Sequence, residues 1–128
     1  TIPVLEEGRK TADPAAQELV DRAAEAWTPI WETGAPVNLH VAAGWLTTIR
    51  RLGHALQRVN PELRIDLVRE ELGALHVHNL APRDRAAEMV IDMYTVVLQR
   101  TCDQCGSHGS RHERNGWVSV RCSAHAPQ

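Results

Sequence analysis

Two short ligand pairs constrain this chain more than anything else in it. Cys102 and Cys105 stand in Thr-Cys-Asp-Gln-Cys-Gly, and Cys122 and His125 in Arg-Cys-Ser-Ala-His, with sixteen residues between the pairs. These are all the cysteines of the 128-residue chain. A C-x2-C pair followed at this distance by C-x2-H suits a tetrahedral Zn²⁺ bound in a closed structural site. His108 and His112 lie in the spacer and are alternative fourth ligands. His125 is preferred because its pair mirrors the first. A redox role for Cys102-x-x-Cys105 calls for a thioredoxin-like parallel sheet, which the pattern does not suggest. Four protein ligands would also leave no open position for metal catalysis.

The segment between the pairs reads as a hairpin. Asn115-Gly116 is a two-residue turn signal, because both positions tolerate positive φ. Ser110 to Arg114 and Trp117 to Arg121 flank it as strands. Knuckle, hairpin and second ligand pair together give a treble-clef or zinc-ribbon-like module over residues 100–128. Thiolate charge at the site is partly offset by Arg100 and Arg121.

Upstream, the periodicity predicts a helical body over residues 13–99 after a flexible lead-in at 1–12. Asp13-Pro14 starts a first helix, with Leu19, Ala23, Trp27 and Ile30 on one face, bounded by Pro29 and Gly34-Ala35-Pro36. A second helix is expected over 39–59, its stripe being Trp45, Ile49, Leu52, Leu56 and Val59. Asn60-Pro61 ends it. Period-two alternation then places Ile65, Leu67 and Arg69 on one face of a strand, and Leu75 and Val77 on one face of the next. The two are joined around Gly73 as a hairpin spanning about 64–80. From Pro82, Arg83 and Asp84 a third helix runs to about Gln99, burying Ala86, Met89, Val90, Met93, Tyr94 and Val97. The expected fold is therefore α+β: three helices, a β-hairpin and a C-terminal metal-binding hairpin module.

Composition restricts function mainly by exclusion. Net charge is −2; residues 1–35 carry −4, residues 36–99 balance, and residues 100–128 carry +2. That is not the basic footprint of a nucleic-acid binder, which makes nucleic acid the second choice of partner after protein. No apolar run reaches the roughly 20 residues of a membrane span. The first residues lack the pattern of a secretion signal, and three metal-explained cysteines fit a reducing cytosol. No nucleophile–base arrangement or phosphate-binding loop is present, so an enzyme of unknown class is the third reading. His76 and His78, alternate residues on one strand, read as solvated, as do Asp66, Glu88, Asp92 and the Glu70-Glu71 turn. Trp27 and Trp45 read as core, Trp31 as the more exposed indole, and Trp117 as a cover for the metal site or the third helix. The candidate partner contacts are Arg111, Arg114, Trp117 and Arg121.

Several of these features occur together in a group of small bacterial and phage proteins. They are Gly44-Trp45-Leu46, the turn Asn60-Pro61-Glu62-Leu63-Arg64, and the segment Arg69-Glu70-Glu71-Leu72-Gly73-Ala74-Leu75-His76-Val77-His78. The chain then has Cys102-Asp103-Gln104-Cys105-Gly106, Asn115-Gly116-Trp117 and Cys122-Ser123-Ala124-His125. From Gly44 onward, about two-thirds of its length, the chain resembles that group, whose central segment is of the K-E-K-F-G-G-L-R-F-Y type. Glu71, Leu72, Ala74 and the histidines replace the group's basic and aromatic positions there. The resemblance implies the fold and the metal, in a phage- or defence-related setting, and no particular activity.

Overall fold

The computed structural model describes residues 14–32, 36–81 and 83–127. The expected lead-in, the Asp13 cap and the Gly34-Ala35 break lie outside these residues. The chain is α+β, with three 14-residue helices, a three-stranded sheet and a separate two-stranded hairpin.

Helix α1 (Pro14–Trp27) packs along α2 (Leu46–Val59), and α3 (Arg85–Leu98) packs on α2 and the sheet. In the sheet, β2 (Arg64–Glu71) is central; β3 (Ala74–Ala81) pairs with it antiparallel, and the two-residue β1 (Leu39–His40) pairs with it in parallel. The β2–β3 connection is Leu72-Gly73, both at positive φ. This is the same two-residue turn geometry that Asn115-Gly116 makes between β4 (Ser110–Arg114) and β5 (Trp117–Arg121).

The core lies between the helices and the inner face of the sheet. Trp27, Ile30, Trp45, Ile49, Leu52, Leu56, Leu63, Ile65, Val68 and Leu98 are all buried there. The indole N–H of Trp27 donates to the Ile49 carbonyl (2.9 Å), so its one polar atom enters the core satisfied. Gly53 faces that indole, and a Cβ there would sit 2.8 Å from Trp27 Nε1. Trp31, expected to be the exposed indole, is only 5% exposed. It continues the sheet through a parallel bridge to Ile65 and meets Trp27 edge-on, the ring centroids 6.4 Å apart.

Several expectations from periodicity are corrected, beginning with Leu19 of α1 and Val59 of α2, both expected on buried faces and both exposed. Residues 39–45 do not extend α2; Leu39–His40 pairs with Val68–Arg69, and a 3-10 turn at Ala43–Trp45 leads into the helix. Long-range backbone pairing here overrides local helical patterning. In β2, a bulge between Ile65 and Leu67 breaks the alternation, so that Ile65 and Val68 face inward and Leu67 does not. In α3 the buried face is Ala87 and Leu98, flanked by Val90, Ile91 and Tyr94. Ala86, Met89, Met93 and Val97, all expected inside, are exposed together with Val96. Apolar residues run most of the way round this helix, so periodicity does not select a face.

The start of α3 is fixed by Asp84, whose carboxylate accepts from the N–H groups of Ala86 (2.9 Å) and Ala87 (3.2 Å). Asn60, at the end of α2, donates to the same carboxylate (2.9 Å), which joins the two helix ends. Those hydrogen bonds, Asn60's first, hold the Asp84 carboxyl below the usual aspartate range.

Candidate metal centre

Helix α3 delivers the chain directly to the first ligand pair. The Thr101 hydroxyl donates back to the Val97 carbonyl (2.8 Å), and Cys102 follows fully buried. The knuckle closes by backbone bonds from Cys102 N to Ser107 O (2.7 Å) and from Gly106 N to Cys102 O (2.9 Å). Gly106 takes a φ of +81° at the turn. The second pair sits at the end of β5, where the His125 N–H donates to the Cys122 carbonyl (3.1 Å).

This folding brings Cys102, Cys105, Cys122 and His125 together, one ligand atom from each lying within 4.8 Å of all the others. Cys105 Sγ is 3.7 Å from Cys122 Sγ, and His125 Nδ1 is 3.7 Å from Cys102 Sγ and 3.2 Å from Cys122 Sγ. A tetrahedron with metal–sulfur bonds of about 2.3 Å has sulfur–sulfur edges of about 3.8 Å. The donor set fits a four-coordinate metal ion by type and by spacing. His108 and His112 are not in the cluster: His108 is exposed in a bridge to Thr101, and His112 lies on β4 near the Ser110 hydroxyl.

The electrostatics favour the thiolate at Cys102 and Cys105 and oppose it at Cys122. Burial pushes the Cys102 thiol up, but the N–H groups of Cys122, Cys105 and Gln104 outweigh it and leave the thiol below its ordinary range. Cys105 is held down to about 7 by the Ser107 hydroxyl and N–H. Burial, followed by the neighbouring thiols, pushes Cys122 up. Three crowded thiols cannot all ionise without a cation among them.

Two links invisible to motif reading hold the pairs in place. Asp103, inside the first knuckle and buried, accepts from Arg121 Nε at 2.6 Å, and Arg121 also donates to the His125 carbonyl (3.3 Å). The Asp103 carboxyl is raised by its burial, against the pull of Arg121. Arg121 is thereby an internal strut between the two pairs. The other link runs to the body. Gly44 N donates to the Asp103 carbonyl (3.0 Å), and Trp45 Nε1 donates to the Thr101 carbonyl (2.9 Å). The contact is so close that a Cβ on Gly44 would lie 2.3 Å from the Cys102 carbonyl oxygen.

Of the other residues singled out from sequence, His76 and His78 are exposed on the outer sheet face, and His78 Nδ1 lies 2.6 Å from Asp66. Arg111 is exposed beside Glu113 (3.5 Å). Trp117 covers neither the metal cluster nor α3: it is 80% exposed at the tip of the hairpin. Glu70 is not part of a solvated turn. It is half-buried, and burial, with the Asp103 carboxylate beside it, pushes its carboxyl up to about 7 against the Ala42 N–H and Arg121. The bulge in β2 is what turns it inward, so alternation alone could not have found it.

No protein-family model, curated protein or solved structure matches the chain. Among the described residues no helix is long and apolar enough to cross a membrane.

Proposed function

We propose that the chain is a non-enzymatic interaction module, stabilised by one structural Zn²⁺ on Cys102, Cys105, Cys122 and His125, whose partner is another protein. Zinc is the ion that three thiolates and an imidazole at tetrahedral spacing suit best. A closed shell of four protein ligands gives the ion a folding role rather than a catalytic one.

The observation that carries the partner assignment is the outer face of α3. Met89, Met93, Val96 and Val97 recur at helical spacing and are each more than half exposed. Contiguous exposed apolar surface on a folded chain marks an association face, and methionine suits an adaptable one. Helix α3 runs straight into Cys102, so the metal would hold this face at a fixed angle to the hairpin. Of the hairpin's candidate contacts, Arg111, Arg114 and Trp117 are exposed, whereas Arg121 is engaged internally. The resemblance to small bacterial and phage proteins supports a phage- or defence-related setting for the same proposal, and the cysteine usage supports a cytosolic one.

The test is a comparison of the chain with a Met93→Lys/Val97→Lys variant as immobilised bait in extract of the source cells. Circular dichroism and metal content serve as controls on the fold. Proteins retained by the parent and lost from the variant support the reading. Identical capture by both, with both monomeric, overturns it.

A further inference from the structure

Between the β1–β2 pair and the β4–β5 hairpin lies a cavity of about 690 Å³, a size usual for small-molecule sites, lined by residues from both faces of β2. Its two walls carry complementary chemistry. His40 and Arg69 are register partners on the sheet side, and Arg114 and Trp117 are register partners on the hairpin side. Partners in register project to the same side of their sheets. Glu70 and the Asp103–Arg121 pair also line the cavity.

Three of these groups are uncommitted. Among the described residues, Arg114, His40 and the indole N–H of Trp117 have no hydrogen-bond or ion-pair partner. Arg69 uses one guanidinium nitrogen on Glu71 (2.6 Å) and keeps further N–H donors. A simple cation in this cavity would meet Arg69 and Arg114. A simple anion would meet the carboxylates of Glu70 and Asp103. The lining is suited to a ligand that is anionic at one end and, at the other, planar with N–H donors on its edge.

We propose that the cavity is a nucleotide site, in which a nucleobase stacks on Trp117, its phosphate pairs with Arg114 and Arg69, and Glu70 accepts from the amino edge of the base. Exposed aromatic side chains hold unpaired bases by stacking on their π-faces, whatever the base. Guanidinium groups match phosphate oxygens two at a time. A carboxylate selects bases that carry an amino group, as it does with cytosine N4. The nucleotide is free, or it is a unit of a single strand; a base within a duplex cannot enter a concave site without leaving its stack. The overall charge of −2 is no obstacle, since residues 1–35 carry the acidic excess and contribute no lining residue. This assignment is independent of the α3 face.

Tryptophan fluorescence tests it on the full chain folded with zinc. Trp27, Trp31 and Trp45 are at most 5% exposed, so quenching by an added base reports Trp117. Short oligo-dC, oligo-dT and CMP are titrated at low ionic strength. Quenching by oligo-dC, stronger than by oligo-dT and weakened at least about five-fold in Arg114→Ala, is the expected result. Equal effect of CMP assigns the free nucleotide as ligand, and an effect of the oligonucleotide alone assigns the strand. Glu70→Gln is expected to erase the dC-over-dT preference, while Met93→Lys/Val97→Lys leaves the titration unchanged. Absence of quenching by all three, or quenching indifferent to both Arg114→Ala and Glu70→Gln, overturns the proposal. Arg114 is exposed at the hairpin tip, so its variant reads the site rather than the fold.

Discussion

Replacing Gly44 by alanine would separate the metal knuckle from the helical body. The new Cβ would lie 2.3 Å from the Cys102 carbonyl oxygen and 2.7–2.8 Å from the carbonyl group of Asp103. All of these are backbone atoms within a knuckle closed by its own hydrogen bonds, so they cannot swing aside as a side-chain tip would. Ordinary contact begins near 3.4 Å, which requires a retreat of roughly 1 Å. That retreat breaks the 3.0 Å bond from Gly44 N to Asp103 O and stretches the 2.9 Å bond from Trp45 Nε1 to Thr101 O. Overpacking of this kind costs about 1–3 kcal/mol. A buried donor left without its acceptor adds about 1–3 kcal/mol. The expected loss is therefore about 3 kcal/mol, a large share of a small domain's stability. Urea unfolding of the zinc-loaded protein measures it, with a decrease in zinc affinity read by competition against a chromophoric chelator. Gly116→Ala is the comparison, because nothing lies within 4 Å of a Cβ there and only the +81° φ is strained. A Gly44→Ala protein within about 0.5 kcal/mol of the parent would refute the argument from close approach.

Two further outcomes follow from the same contacts. Cys105→Ser removes one ligand of four and should release the metal in native mass spectra, with thermal stability falling by several kcal/mol, given the roughly 10 kcal/mol such sites supply; unchanged thermal stability would contradict a structural metal. Glu70 has its carboxyl raised from 4.5 to about 7 in the folded chain, so its contribution is full below pH 4.5 and is lost as pH rises through 7. Glu70→Gln should accordingly be more stable than the parent at pH 8, by about 1–3 kcal/mol, and should lose that advantage by pH 5; a pH-independent difference in paired denaturation curves would show that the carboxyl titrates normally.

Some of this molecule is written locally, and those parts are legible without a structure. The two ligand pairs need only their own spacing to define a chelating set, and Asn115-Gly116 needs only two residues that tolerate positive φ. The stripe Trp45, Ile49, Leu52 and Leu56 marks the buried face of α2 because one side of that helix is apolar and the other charged, although its last predicted member, Val59, is exposed at the helix end. Where local information is symmetric or incomplete, tertiary contacts decided. Helix α3 is apolar almost all round, so the sheet and α2, not its own periodicity, chose Ala87 and Leu98 for burial and left Met89, Met93 and Val97 outside. One bulge in β2 exchanged Leu67 for Val68 in the core and brought Glu70 beside Asp103, because a single extra residue reverses every later side chain in a strand. Gly44 and Asp103 stand in short motifs whose sequence does not disclose their roles, which come from a backbone approach between distant segments and an ion pair across the hairpin. The sequence by itself determined the four candidate ligands, and the tertiary structure decided which surfaces lie beside them.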